Sequence, residues 1–282
     1  MGLPSPRTAE RLWSGPRARK CPLSMWRLEK CGKSTRLPAM RTNGWDDPTI
    51  HLLELSTHGE RHHFNGHQGR ILALHFSSDG NVLISGGTDG TALVWDLTGR
   101  TDRKAAADKE PSAEELDSLW KSLGTAETPQ AYQSVRRLAR WPAAVRFLGT
   151  QLQPVPAPNE KHVAKLIAEL NSDDYQVRAR ATKELERLGD QVSGACRKAL
   201  IDRPLLEVRR RLEKLLDRQA SEAHKPSAER VRLTRALEAL ELAGTVVAQK
   251  VLTALAKGAP GAWLTEQAKA GQERLERRKV TR

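Results

Sequence analysis

The chain has 282 residues, with 47 Lys or Arg against 34 Asp or Glu, a formal net charge of +13, and only 4% aromatic side chains. At roughly 100–200 residues per domain that length makes one or two domains, and no apolar run approaches the ~20 residues of a membrane-spanning helix, which excludes a helical membrane protein. The start is broken by Pro4, Pro6, Gly15 and Pro16 and has no apolar core for a secretory signal, so the expectation is a cytoplasmic chain.

Met1 to Asn43 follows neither a helical nor a strand period, and residues 1–44 are expected to be a disordered or non-native head. The first fifty residues hold ten Lys or Arg against four Asp or Glu. Trp13, Trp26, Cys21 and Cys31 all fall in this stretch, an unusual load for a disordered tail that fits a shifted reading frame or a misplaced start. With Cys196 the cysteines number three; their spacing matches neither a disulfide framework nor a zinc site.

Between 45 and 97 the pattern changes to short alternating runs, predicting strands over Thr49–Leu55, Arg61–Asn65, Ile71–Phe76, Asn81–Ser85 and Thr91–Asp96. Asp79-Gly80 and Asp89-Gly90 supply the positive φ that tight hairpin turns require. The run Thr49 to Leu55 aligns with Thr91 to Leu97 at an offset of 42, the period of a propeller blade. Gly66-His67, Phe76 to Gly80, Leu83 to Gly87, Asp89-Gly90-Thr91 and Trp95-Asp96, in that order, resemble one full WD40 repeat. The resemblance implies a buried structural tetrad in which Asp89 fixes His67, His67 meets Ser85, and Ser85 accepts from the indole of Trp95. Such polar groups need one another once buried, so these residues are expected to be structural rather than a hydrolase triad.

Leu53 stands where the preceding repeat would carry its Trp, so the likeness covers about one and a half repeats: the last blade and half of the one before. A propeller takes ~4–8 blades, so this part is expected to be the remnant of a larger WD40 protein or to pair its strands with another chain. Open strand edges otherwise invite aggregation.

Residues 98–111 are polar and aperiodic and read as a linker. From 112 to 282 the period is helical. Helices are predicted over 113–123, 129–139, 142–152, 160–170, 174–188, 191–201, 205–223, 228–243, 246–256 and 265–278. Ser112 and Glu115 form a capping-box signature. Pro129 and Pro142 suit first turns, and Gly189, Gly244 and Gly258 suit left-handed C-caps. Pro154, Pro156 and Pro158 make residues 153–159 a stiff extended spacer. Ala181, Leu185, Gly189, Val192 and Leu200 recur as Ala236, Leu240, Gly244, Val247 and Leu255, an offset of 55. The run Asp173 to Arg178 with Ala181, Leu185 and Gly189 resembles a HEAT-like repeat. The whole order resembles the C-terminal part of large bacterial WD40 proteins. The expected fold class is mainly α with a small β part: a partial WD40 propeller followed by a HEAT-like α-solenoid.

Six of the eight His lie between His51 and His75, but His62 and His63 are neighbours in a strand and point to opposite faces, so no metal site is expected. No Gly-rich phosphate loop follows a strand; neither catalytic residues nor a cofactor site is expected. Arg209, Arg210 and Arg211, with Arg230, Arg232 and Arg235 on the next helix, are candidate polyanion contacts if they converge on one face. The expected function is a non-catalytic protein-binding scaffold or adaptor with other proteins as partners. Nucleic-acid binding through the Arg-rich helices is the alternative, and no membrane partner is expected.

Overall fold

The computed structural model describes residues 39–41, 48–77, 79–98, 109–221 and 226–280. Six strands come first: β1 (Ala39–Arg41), β2 (Ile50–Leu53), β3 (Glu60–Phe64), β4 (Ile71–Phe76), β5 (Val82–Gly87) and β6 (Ala92–Asp96). They form two antiparallel sheets, ordered β1-β2-β3 and β4-β5-β6. The first strand corrects the expectation for the head. Three residues are too short to display a period of their own, yet they pair with β2, Met40 opposite Leu52. The rest of the expected head up to Asn43, and residues 99–108 of the expected linker, lie outside the described residues.

The alternation in these strands builds one small core. Ile50, Leu52 and Phe64 from the first sheet meet Leu83, with Ile71, Leu74, Phe76 and Trp95 from the second. The Asp-Gly turns do what their chemistry allows: Gly80 and Gly90 adopt φ of 69° and 74°, and the Asp79 carboxylate accepts from the Ser77 hydroxyl at 2.6 Å and from Asn81 N at 3.1 Å.

The remainder is helical. The helices are α1 (Ala113–Ser122), α2 (Thr128–Arg140), α3 (Pro142–Gln151), α4 (Glu160–Glu169), α5 (Tyr175–Leu188), α6 (Ser193–Ile201), α7 (Leu206–Ser221), α8 (Ala228–Ala243), α9 (Val246–Ala256) and α10 (Trp263–Val280), with one 3-10 turn over Gly189–Val192. Ser112 and Glu115 close a reciprocal capping box on α1. Asn159, Asp174, Ser227 and Thr245 cap α4, α5, α8 and α9 by accepting a first-turn N–H, each satisfying a donor that helix geometry leaves free. Gly189 and Gly244 end α5 and α8 with φ of 60° and 59°, but only Gly244 is the expected left-handed C-cap, with ψ of 11°; Gly189 has ψ of −133° and leads directly into the 3-10 turn.

Gly258 departs from its expected role. It is not left-handed: α9 ends at Lys257 with φ −85°. A Cβ at Gly258 would stand 2.6 Å from Thr265 Oγ1 and 3.0 Å from the Val155 backbone. The Pro-rich spacer runs alongside, and Ala259 N donates to Val155 O at 2.8 Å. The glycine is there for close approach.

Packing does not follow chain order. Helices α8, α9 and α10 return onto α1, α2 and α3 and share one apolar core with them, including Leu138, Leu148, Leu237, Leu240 and Leu252. Helices α4 to α7 enclose a second core around Leu170, Leu185, Cys196 and Leu212. The two meet where Trp263 N donates to Asp190 Oδ2 at 3.1 Å and where Gly194 lies against Pro260 and Gly261. The small sheets are tied to the first helical core: α2 packs on β3, Tyr132 joins the sheet core, and its hydroxyl donates to Leu97 O at 2.8 Å.

Candidate functional site

Two buried polar assemblies and one exposed basic cleft carry the chemistry of this chain. The first assembly lies between the two Asp-Gly hairpins. His67 Nδ1 stands 3.0 Å from Asp89 Oδ2, and its Nε2 stands 2.7 Å from Ser85 Oγ. Trp95 Nε1 donates to Ser85 Oγ at 2.8 Å. A self-consistent assignment puts the imidazole proton on Nδ1, facing the carboxylate, and lets the Ser85 hydroxyl donate to Nε2.

Thr91 is a fifth member that residue spacing did not single out. Its hydroxyl donates to Asp89 Oδ1 at 2.7 Å and lies 3.1 Å from His67 Nδ1. Asp89 also accepts from the backbone N–H groups of Gln68 and Thr91. Thr91, through its hydroxyl and then its N–H, holds the Asp89 carboxyl well below the usual carboxylate range. Ser85 is 1% exposed, and its oxygen is occupied by the indole and the imidazole. What this arrangement does chemically is fasten β5, β6 and the segment before β4 together.

The second assembly joins sheet to helix. Glu54, just past β2, accepts from Arg235 of α8 at 2.9 and 2.6 Å and from Arg61 of β3 at 2.8 Å. Arg61 also grips Glu238 of α8 with two bonds of 2.6 and 2.8 Å. Arg235 donates further to Leu123 O and Thr125 O, both at 2.8 Å, closing the C-terminal end of α1. Burial pushes the Glu54 carboxyl up, but Arg235, Arg61 and Thr57 together overcome it and hold it at about 2. Burial likewise opposes the charge on Arg61, and Glu238 and Glu54 reverse this and raise its pKa.

This placement corrects the candidate polyanion surface. Arg235 is 1% exposed, with its guanidinium spent inside the protein, because Glu54 is buried opposite it and needs a counter-charge. Arg232 pairs with Glu229 and lies 5.7 Å from the Trp120 ring. Arg230 stacks 4.2 Å over the Trp263 ring. Arg209, Arg210 and Arg211 sit on α7, in the other helical core. Arg209 bonds Glu213 and Arg211 bonds Glu207, each at 2.8 Å. The six arginines do not converge on one face.

The histidine-rich region is organised by Glu60. His51, opposite His63 in the register, places Nδ1 2.7 Å from Glu60 Oε2, and His63 Nδ1 is 3.3 Å from Oε1. Burial works against the Glu60 carboxylate, yet the bonds to His51 and His63 lower its pKa. The rings of His62 and His63 lie nearly parallel with centroids 5.9 Å apart, closer than strict alternation predicts. Among the described residues no group of three His, Cys, Asp or Glu is arranged to hold a metal ion. Also among the described residues, no helix is long and apolar enough to cross a membrane.

The exposed cleft lies between α5 and α7. A cavity of about 480 Å³ lined by Lys183, Arg187 and Arg218 adjoins one of about 290 Å³ lined by Arg210 and Lys214, and the two share Glu186 and Leu215.

Comparison with known proteins matches residues 59–96 to the WD domain, G-beta repeat family. This span holds β3 to β6 and the entire His67–Ser85–Asp89–Trp95 assembly, so the chain carries a WD40 repeat. Over 60 residues it is 40% identical to the small ribosomal subunit protein RACK1 of Neurospora crassa, covering 21% of this chain and 19% of that protein. It is 33% identical over 69 residues to Topless-related protein 3 of Arabidopsis thaliana, 24% of this chain and 6% of the relative. It is 33% identical over 87 residues to the serine-threonine kinase receptor-associated protein of Gallus gallus, 30% and 25% respectively. The chain thus spans about a fifth of the length of the RACK1 relative it matches. No solved structure gives a significant match.

Proposed function

We propose that this chain is a non-catalytic protein–protein interaction scaffold or adaptor, in which part of a WD40 propeller (45–97) is followed by a linker (98–111) and a HEAT-like helical domain (112–282). The observation that carries this reading is the joint between Glu54, Arg61, Arg235 and Glu238. It fastens a WD40 repeat to a helical body as one presentable surface, while the Ser, His and Asp that could have suggested hydrolysis are consumed in holding the repeat together. Such a surface needs no cofactor, and the helical body offers it although α8–α10 fold back onto α1–α3 instead of stacking in chain order. The names of two relatives, a ribosomal subunit protein and a kinase receptor-associated protein, describe members of larger assemblies and support the same reading.

The sheets described, of three strands each, support the further proposal that the repeat belongs to a larger WD40 protein of the bacterial type with a HEAT-like end. The polyanion alternative keeps Arg209, Arg210 and Arg211 but loses the buried Arg235 of α8, with Arg230 engaged by Trp263 and Arg232 by Glu229.

The test is cross-linking and affinity purification of the full chain from its own cells, followed by reconstitution with each recovered protein. At least one protein binding the purified chain directly, with no turnover in hydrolase and transferase panels, is the expected result. Turnover that disappears in His67→Ala while the fold persists, or the absence of any directly binding protein, overturns the reading.

A further inference from the structure

We propose that the cleft between α5 and α7 is a docking site for an acidic helix of a partner protein. This rests on the interaction reading above and names the surface and the chemistry of the partner.

The charge in the cleft is unbalanced. Seven Lys or Arg line its two cavities against three Glu, at 184, 186 and 207. Each of these carboxylates is engaged by one arginine: Glu184 by Arg187, Glu207 by Arg211 and Glu186 by Arg218. Lys183, Arg210 and Lys214 are exposed and make no hydrogen bond or ion pair with any described residue. A concave surface with low-dielectric walls concentrates the field of such cations.

Their spacing identifies the shape of the partner. Arg210, Lys214 and Arg218 recur every four residues on α7, and Lys183 and Arg187 do so on α5. On a helix that spacing puts cations on one face about 6 Å apart. An acidic helix with Glu at the same period repeats its carboxylates at the same ~6 Å rise. The shared wall residue Leu215 is already buried in the α4–α7 core, so the contact with the partner rests on charge. A nucleic acid fits less well. No aromatic ring lines the cleft to stack a base.

The experiment is fluorescence anisotropy on the purified full chain with a labelled peptide of Glu-Ala-Ala-Leu repeats, about 20 residues long. The same peptide with Gln for Glu, an oligothymidylate and a mixed-sequence DNA duplex serve as competitors. The Glu peptide is expected to bind at low salt, to weaken as salt rises, and to outcompete both the Gln peptide and the oligonucleotides. The triple reversal Lys183→Glu, Arg210→Glu, Lys214→Glu removes only exposed, unbonded cations. It is expected to weaken the peptide at least about tenfold with an unchanged thermal transition. Equal binding of the Gln peptide, or an unmoved affinity in the triple variant, overturns the proposal. Tighter binding of DNA that is lost in the same variant also overturns it, in favour of a nucleic-acid cleft. If partners purified from cells bind directly yet the peptide does not, the cleft is refuted and the scaffold reading stands.

Discussion

Arg235 and Glu54, 181 residues apart in the chain, meet side-on with bonds of 2.9 and 2.6 Å and with side chains only 1% and 2% exposed. A charge this deeply buried is tolerated because every polar edge is engaged. Arg235 also holds two carbonyls at the end of α1, and Arg61 carries the second side of the network to Glu238. Such an assembly contributes little net stability as a whole, because desolvation offsets the attraction. Its breakage is another matter.

Replacing Arg235 with Met leaves Glu54 buried with Arg61 as its remaining cation, and is expected to cost about 3–5 kcal/mol. Equilibrium urea unfolding measures it. A double variant that also replaces Glu54 with Leu is expected to recover part of that loss. A double variant at least as unstable as the sum of the two single changes would show that the two side chains do not act together.

The same network sets an acid limit. The Glu54 carboxyl is held at about 2, against an ordinary value of 4.5. A carboxylate with a lowered folded-state pKa contributes stability that is complete above the unfolded value and lost as pH falls through the folded one. Stability is therefore expected to fall by roughly 3 kcal/mol between about pH 5 and pH 2 from this group. Glu54→Gln, measured over the same range, is expected to show a shallower decline; an identical slope would assign the acid sensitivity elsewhere.

Within the WD40 repeat, Trp95→Phe keeps the aromatic surface and removes the donor to Ser85. Loss of one buried partner is expected to cost about 1–3 kcal/mol. Hydrogen exchange localises the effect: protection should drop across β4, β5 and β6 and persist in α4 to α7, which have their own core.

The contact between the two helical cores offers a backbone test. Gly261 has φ of 78°, and a Cβ there would stand 2.8 Å from Gly194 N. Gly261→Val combines a strained backbone with a clash and is expected to cost about 2 kcal/mol or more. Limited proteolysis is expected to cut first near this contact, releasing fragments that retain helical circular dichroism. Cleavage spread evenly along the chain would mean that the cores do not separate there.

Local features of this protein were legible because their causes are local. Asp-Gly pairs impose positive φ within a turn, Ser112 and Glu115 cap the helix that begins beside them, and Gly189 and Gly244 end theirs. The tetrad of His67, Ser85, Asp89 and Trp95 followed from the resemblance to a WD40 repeat, and neighbouring strands bring its members together over fewer than thirty residues. Thr91 entered only as part of the motif and as the opening of a strand, which β propensity already explains, so its side-chain place in the assembly was not foreseen. Strand β1 was missed because three residues carry no period, and Gly258 was misread because close approach by Val155 cannot be seen from the helix it follows.

The sequence by itself determined most elements and most of their ends, since periodicity, caps and turn chemistry act within a few residues. Only the tertiary structure decided which helices share a core, that α8 to α10 return past α4 to α7 onto α1 to α3, and that Arg235 is spent inside the protein while Arg209 and Arg210 on another basic helix face solvent. An arginine has the same charge in either place. Whether a carboxylate stands buried opposite it depends on residues more than a hundred positions away, and no local pattern encodes that distance.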